Sequence, residues 1–528
     1  MKRHYWAVFI ITIIGLLFRV GLLVFINNPG LNDQNHYYNL GSRLLNGEGF
    51  TIDYIWHYSS IPDDIVHPID HWMPLAGGAV TVGMAIAGES PQAGLIVFII
   101  AGSLLPLLVF IATKQYGVSD ELALIASSFA LFIPDFVWNS LRTDTTILNM
   151  VFITGSIIAL THAIKNSRWW GYVVCGLLGG IAYVTRNDSI IILPMAFVTT
   201  LTYLVWGKDI INRKNLWQVI LVPIAFFIII SPWLLRNYEI IGMLGSPETS
   251  RMFFMIDAKQ HYAYNIPITL DSMLEQQTMR QLIEKRLFEF AAAIKQMIIS
   301  LDGVLAVLIP LGLLSLLSKR HRANLLTLSP ALIWLLGILV AYPLLLPYKS
   351  QSGSFDNAYL TIIPMLLPLA TIAIEQVFVK GRWRYLAVSI ILVLMGLNSF
   401  EFVRQETNFA DSIYARFELL TAQLETLPDI TGDDEIRLMS QDPFPLSYFG
   451  YSSVMMPLTS NLDDVIEIAT RYDIDYLQMP AGRPLLDAIF RGDVQDERFV
   501  WVEDVIENGR IIFKLYEIRP DASDSNAN

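Results

Sequence analysis

The sequence predicts a mainly α-helical protein: a polytopic transmembrane helix bundle of about eleven spans, followed by a small C-terminal α/β domain outside the membrane. Three observations predict it. Of 528 residues, 54% are hydrophobic and only 16% charged, with a mean hydropathy of +0.47, whereas soluble domains carry roughly a quarter charged residues. Apolar runs of about twenty residues, enough to cross roughly 30 Å of hydrocarbon as a helix, recur up to Phe400 and then stop. The loops between these runs alternate in charge.

The spans in order are Tyr5 to Ile26, Gln92 to Thr113, Glu121 to Val137, Thr145 to Ile164, Trp169 to Thr185, Ser189 to Trp206 and Leu216 to Leu235. Leu301 to Leu317, Leu325 to Leu346, Ala358 to Phe378 and Tyr385 to Phe400 follow. The first is too long for a secretory signal and has no small-residue cleavage site after it. With the N-terminus in the cytoplasm, the inner loops carry Lys114, then Lys165 and Arg168, then Lys208, Arg213 and Lys214. The later ones carry Lys319, Arg320 and Arg322, then Lys380, Arg382 and Arg384. Every inner loop is basic, as the positive-inside rule requires. The two large outer loops, residues 27–91 and 237–300, are mixed or acidic, with Asp33, Glu48, Asp53, Asp63, Asp64 and Asp70 in the first. Counting His71 to Ala87 as a span would turn every later basic cluster outward. Trp72 to Ala87, short and containing Gly77, Gly78 and Gly83, is therefore expected to lie at the outer interface.

Residues 1–400 thus form the membrane domain, 401–520 a soluble extracytoplasmic α/β domain and 521–528 a polar, disordered tail. In the soluble domain, helices are expected at Asp411 to Thr426 and Leu462 to Tyr472. Strands are expected at Glu435 to Ser440, Ser453 to Met456 and Tyr476 to Met479. Phe499 to Asp504 and Ile511 to Glu517 read as a closing hairpin across Glu507-Asn508-Gly509. In the second outer loop Met279, Leu282, Ile283, Phe290 and Ile294 fall at helical spacing, the stripe of an interfacial helix.

The net charge of −12 leaves no basic face for nucleic acid. The single cysteine, Cys175, permits no intrachain disulfide and no cysteine-based metal cluster. No Walker loop, Gly-x-Ser-x-Gly or dinucleotide fingerprint occurs, and no His-rich or Cys-rich metal spacing.

The polar residues that remain gather at outer ends of spans. Asp33, in Asn32-Asp33-Gln34-Asn35-His36-Tyr37-Tyr38, sets a carboxylate just past the first span beside aromatic rings suited to stack on a sugar; it reads equally as the N-cap of a helix from Gln34 to Asn46. Asp144, in Arg142-Thr143-Asp144, is a second outer carboxylate and reads more simply as a helix cap; with Asp33 it would supply oxygen ligands for a divalent cation such as Mg2+ or Mn2+. Arg186 and Arg236, at the outer ends of spans five and seven, and more weakly Lys349, match the two-point geometry or charge of a lipid phosphate, against the alternative of snorkelling to headgroups. Arg19, deeper in the first span, points either into the bundle or up to the interface.

These motifs together resemble the GT-C glycosyltransferases, in particular relatives of the protein mannosyltransferases and the aminoarabinose lipid A transferases. The residues that carry the resemblance are Asp33, Tyr37, Tyr38 and Gly47 to Phe50; His67-Pro68 and Trp72 to Leu75; Arg142-Thr143-Asp144; and Thr185-Arg186. Pro232 to Tyr238 with Gly242, Asp442-Pro443 and Tyr472 to Leu477 complete the set. The resemblance implies transfer of a sugar from a polyprenyl-phosphate donor to an acceptor outside the cell membrane, a protein, lipid or glycan, with inversion. Asp33 would then be the general base or a metal ligand, Asp144 the second acidic position, Arg186, Arg236 and Lys349 the phosphate contacts, and Tyr37, Tyr38, His67 and His71 sugar contacts. Two departures stand out: Met73-Pro74-Leu75-Ala76 where relatives carry a Pro-Pro-Leu-Tyr-like run, and Asp356-Asn357-Ala358-Tyr359 where they carry an Arg-Tyr pair. A transporter or flippase of lipid-linked sugars is the alternative reading, disfavoured because its polar sites would sit near the midplane.

Overall fold

A computed structural model describes residues 3–207, 213–301, 303–316, 323–346, 353–377, 381–427, 436–483 and 485–520. Lys349, the tail 521–528 and the basic residues Lys208, Lys319, Arg320, Arg322 and Lys380 lie outside the described residues. The chain divides into two compact units. One comprises Met1–Ile26, Trp72–Gly245 and Gln277–Glu406; the other comprises Asn27–His71, Ser246–Gln276 and Thr407–Asn528.

The first unit is all helix. Among the described residues seven helices are long and apolar enough to cross a membrane, or up to nine if each of two bent pairs is one span. The protein is therefore multi-pass. Two expected spans fall short for identifiable reasons. Trp169–Tyr183 is helical but only 15 residues long. The third expected span is broken into Asp120–Phe129 and Pro134–Trp138, because Pro134 cannot donate to the preceding turn and starts a new helix instead.

That break frees backbone carbonyls in an apolar setting, where an unpaired polar group is costly. Arg19 answers one of them. Its guanidinium is fully buried and donates to the Leu131 carbonyl at 3.4 Å, to the Ser140 hydroxyl at 3.0 Å and to the Gly15 carbonyl at 3.2 Å. Ser399 Oγ donates to the Phe132 carbonyl at 2.7 Å. Arg19 thus points into the bundle, the first of its two expected orientations. Arg19→Ala should lower stability by roughly 3 kcal/mol, the cost of removing a charged donor from buried acceptors. An unchanged unfolding midpoint in detergent would show that the break is satisfied some other way.

Close helix contacts run over glycines. A Cβ on Gly312 would stand 2.0 Å from the Leu369 carbonyl oxygen, and one on Gly176 2.3 Å from the Val222 carbonyl oxygen. The helices Val304–Ser315 and Trp169–Tyr183 can therefore approach their partners only with no side chain there. The expected interfacial segment forms the helix Leu75–Ala87, tied to the break after Trp169–Tyr183 by a Leu75 N–H to Val184 carbonyl bond of 3.0 Å. The amphipathic stripe of the second loop forms the helix Met279–Ile299, with Met279, Ile283, Phe290 and Ile294 exposed.

The second unit is built on a six-stranded sheet in the order Tyr54–Ile55, Ser452–Met455, Arg437–Ser440, Tyr476–Pro480, Arg510–Ile518, Phe499–Glu507. The first four strands are parallel and the last two antiparallel. The helix Leu462–Arg471 supplies the crossover from Ser452–Met455 to Tyr476–Pro480, which lie in parallel on either side of Arg437–Ser440. The hairpin turns at Asn508 and Gly509, whose φ values of 51° and 76° are those of the two-residue turn matched to strand twist. Phe417, Leu420, Leu424, Leu438, Leu446, Val505 and Leu515 form the core. Phe417 to Leu424 lie in the helix Arg382–Leu424, which incorporates the expected 411–426 helix.

The division by packing crosses the sequence boundary at 400. The first loop supplies the edge strand Tyr54–Ile55, which pairs in parallel with Ser453 and Val454. Tyr472 OH donates to the Pro62 carbonyl at 2.8 Å, and the second loop joins through a Leu458 N–H to Tyr262 carbonyl bond of 2.7 Å.

Candidate functional site

In the first unit, four ruptures of helical structure bring charged residues together. Arg142 and Asp144 lie on the turn before the helix Thr146–Asn166, Arg186 and Asp188 on the turn before Ile192–Trp206, Tyr342 on the π-turn Ala341–Leu345, and Asn357 in Gly353–Leu360. Asp144 is 4% exposed. Its Oδ1 accepts from the Thr146 backbone N–H at 2.6 Å and from the Thr146 hydroxyl at 2.5 Å, and its Oδ2 pairs with Arg142 Nη2 at 2.9 Å. The capping alternative is thus realised by one oxygen, while the other balances a charge. Arg142 Nη2 also donates to Asn357 Oδ1 at 3.0 Å, so the position where relatives carry an Arg-Tyr pair still takes part in this network.

Arg186 is mostly buried, its side chain 14% exposed. Its Nε and Nη2 donate to Asp188 Oδ2 at 3.3 and 3.1 Å, Nη2 also to the Tyr342 hydroxyl at 3.0 Å and the Ser354 carbonyl at 3.2 Å, and Nη1 to Thr145 Oγ1 at 3.4 Å. Burial opposes its charge, but Asp188, Tyr342 and Asp144 hold the guanidinium firmly protonated. Arg236 makes a different set of contacts: its guanidinium lies 4.7 Å over the Trp233 ring and donates to Asn237 Oδ1 at 3.0 Å.

In the second unit, Asp33 opens the helix Asp33–Leu45. The cap position is Asn32, at φ 49°, so Asp33 sits in the first turn instead of capping it. Tyr54 and Tyr262 both have their hydroxyl pKa raised, first by burial, then for Tyr54 by Asp53 ahead of Asp33 and Asp442, and for Tyr262 by Asp442 and Asp33. The C-terminal segment packs directly on this helix, with Ser447 Oγ donating to Asn35 Oδ1 at 3.2 Å and the Tyr38 and Tyr448 rings 5.8 Å apart. Burial pushes the Asp442 carboxyl up to about 6, although the Phe444 N–H opposes it. Tyr37 meets the His36 ring edge-on at 5.1 Å.

His67 and His71 belong to a buried histidine and carboxylate group centred on Trp56. The Trp56 ring lies 4.3 Å from His57, 5.2 Å from His71 and 6.0 Å from His261. His57 Nε2 pairs with Asp70 Oδ1 at 3.1 Å, His261 Nδ1 pairs with Glu248, His71 Nδ1 meets Ser246 Oγ at 3.2 Å, and His67 Nδ1 bonds the Ile65 carbonyl at 2.8 Å. Burial lowers the His71 imidazole to about 3. For Glu248 burial alone would raise the pKa, but His261 and its neighbours hold it down to about 2.

Both shifts have the same consequence in acid. Below 6.5 an unfolded chain protonates His71 while the folded one does not until about 3, and between 4.5 and about 2 only the unfolded chain protonates Glu248. Through these two groups acid weakens the second unit, beginning just below neutrality, while Asp53 and Asp442, raised by burial to about 6, take up protons first in the folded chain and act in the opposite sense. The His71 contribution is read by difference: protease resistance of His71→Phe relative to the wild type should rise from pH 7 to pH 4. A difference between the two proteins that does not change with pH would contradict a neutral His71.

Among the described residues no group of three or more His, Cys, Asp or Glu side chains is placed to hold a metal ion. Both Asp144 oxygens are engaged by Thr146 and Arg142. The residues around Asp144 therefore do not fit the expected Mg2+ or Mn2+.

Comparison with known proteins turns on this arrangement. The profile of the dolichyl-phosphate-mannose-protein mannosyltransferase family matches residues 67–235, which hold Asp144, Arg186 and Asp188. ArnT from Cupriavidus metallidurans, solved bound to undecaprenyl phosphate, superposes with a TM-score of 0.60 over 98% of each chain at 14% identity. This chain has the GT-C fold. The Archaeoglobus fulgidus oligosaccharyltransferase in complex with Zn and sulfate shares the GT-C fold at a TM-score of 0.55 and 15% identity, over 89% of this chain and 67% of its own. An undecaprenyl phosphate-alpha-4-amino-4-deoxy-L-arabinose arabinosyl transferase of Pseudomonas aeruginosa is 22% identical over 244 residues, 44% of this chain and 40% of that protein.

Several residues of these groups escaped sequence reasoning as candidates, among them Asp188, Tyr342, Trp56, His57, Glu248 and His261. Asp188 carried a signal, an acid two residues after an arginine in a span break. Tyr342, Glu248 and His261 are joined to their partners only by folding.

Proposed function

We propose that the chain is a membrane glycosyltransferase that moves a sugar from a polyprenyl-phosphate donor to an acceptor hydroxyl on the extracytoplasmic side of the cell membrane, with the N-terminus cytoplasmic. The observation that carries the reading is the enclosed Arg142, Asp144, Arg186, Asp188 and Tyr342 group on a GT-C fold. It is supported by the undecaprenyl phosphate named for one structural neighbour and by the undecaprenyl phosphate sugar named for the sequence relative.

The chemistry is a single displacement. The acceptor oxygen forms a bond to the anomeric carbon as the bond from that carbon to the phosphate oxygen breaks, inverting the centre. The acceptor proton passes to the Asp33 carboxylate, and polyprenyl phosphate leaves carrying the negative charge. No acid is needed for such a leaving group, unlike glycoside hydrolysis, which protonates an alkoxide. Arg186 and Arg236 supply the positive charge that stabilises the phosphate as its charge grows. Asp144 holds Arg142 and the start of its helix in place. Tyr37, Tyr38, His67 and His71 supply ring faces and hydrogen-bonding edges for the sugar, in the manner of aromatic sugar sites.

The test is transfer from a panel of radiolabelled polyprenyl-phosphate sugars in membranes containing the protein. Label moving from lipid to an acceptor fraction supports the reading; label that stays on the lipid with every donor, in protein shown to be folded, overturns it.

A further inference from the structure

The environment of Asp188 is lopsided. Three donors converge on its Oδ2: Arg186 Nε at 3.3 Å, Arg186 Nη2 at 3.1 Å and the Tyr342 hydroxyl at 2.6 Å. Its Oδ1 is buried and has no hydrogen-bond partner among the described residues, in a side chain only 10% exposed. A carboxylate present only to neutralise an arginine would meet the guanidinium with both oxygens, two parallel bonds being the stronger arrangement. Leaving one oxygen of a buried carboxylate without a protein donor is costly and calls for an explanation.

The donors supply one. Two guanidinium N–H groups and a phenol hydroxyl focused on a single oxygen make a receptor for an oxyanion, and the Ser354 carbonyl and Thr145 hydroxyl fix the guanidinium so that it keeps its aim. Asp188 sits two residues from Arg186 on the short turn Asn187–Ile191, so its displacement from Arg186 would be a change of side-chain rotamer. We propose that Asp188 is a resident stand-in for the donor phosphate: a phosphate oxygen takes the place of Asp188 Oδ2 on Arg186 and Tyr342, and the return of Asp188 expels the polyprenyl phosphate product.

This rests on the transferase reading and adds a property that reading does not require. Asp188 competes with the substrate, so removing its charge should tighten phosphate binding instead of weakening it. A purely structural Asp188 predicts the opposite sign, because its loss would leave Arg186 misplaced.

The experiment measures binding of undecaprenyl phosphate to the purified full-length protein, wild type beside Asp188→Asn, with product inhibition of transfer as a second readout. Asp188→Asn should bind about tenfold tighter, as when the competent state is populated about a tenth of the time, and should show a lower kcat from slowed release. Should that variant not fold, Asp188→Ser removes the same charge and carries the same expectation. Wild-type binding with unchanged or weaker binding by the folded variant overturns this inference alone. No binding by the wild type overturns the phosphate site and this inference with it.

Discussion

Asp33→Asn should cut sugar transfer by about 10² or more, the typical contribution of a positioned general base. The substitution keeps the size of the side chain and removes its negative charge and with it the ability to take a proton. Asp33 sits in the first turn of Asp33–Leu45, and the cap position is Asn32. The charge is not isolated: Tyr54 and Tyr262 sense both Asp33 and Asp442. Donor binding should change little, so the loss belongs in kcat, measured at saturating donor and acceptor. Transfer within a factor of two of the wild type would remove Asp33 from the chemistry.

Arg186→Ala should lower kcat/KM for the donor by about 10² or more, because it deletes a guanidinium that would otherwise hold a phosphate by charge-assisted bonds. It should also lower stability, since Asp188 would be left as a buried anion held by the Tyr342 hydroxyl alone. Arg186→Lys separates the two effects. The ammonium keeps the charge for Asp188 but cannot reach Thr145, Tyr342 and Ser354 at once, so stability should largely return while donor use stays depressed. Full recovery of kcat/KM in Arg186→Lys would show that only charge is needed there.

Much of this architecture was legible because the bilayer makes hydrophobic runs and loop charge so informative. The helices Ile96–Gln115, Thr146–Asn166 and Asn324–Leu345 fall within a few residues of where their apolar runs place them. The hairpin could be read from Asn508-Gly509, because that pair tolerates the positive φ its turn requires. The third expected span failed as one helix because hydropathy is blind to a single proline. Pro134 breaks it, and the break gives Arg19 its role.

The strand Tyr54–Ile55 escaped for another reason. Two residues carry no periodicity, and their partner lies about four hundred positions away in the chain. The same limit applies to the candidate site. Asp33, Asp144, Arg186 and Arg236 stood out as charges at span ends. Nothing local joins Tyr342 to Asp188 or His261 to Glu248. Such pairs are products of tertiary structure and become visible only with it.

The most direct test of the central claim is stoichiometry in proteoliposomes containing the purified protein and a radiolabelled polyprenyl-phosphate sugar. Sugar gained by the acceptor should equal polyprenyl phosphate released, one for one, with no nucleotide present, and both should vanish together in Asp33→Asn. Movement of the intact lipid-linked sugar across the bilayer without cleavage would contradict the account and make the protein a carrier of the molecule proposed here as its donor.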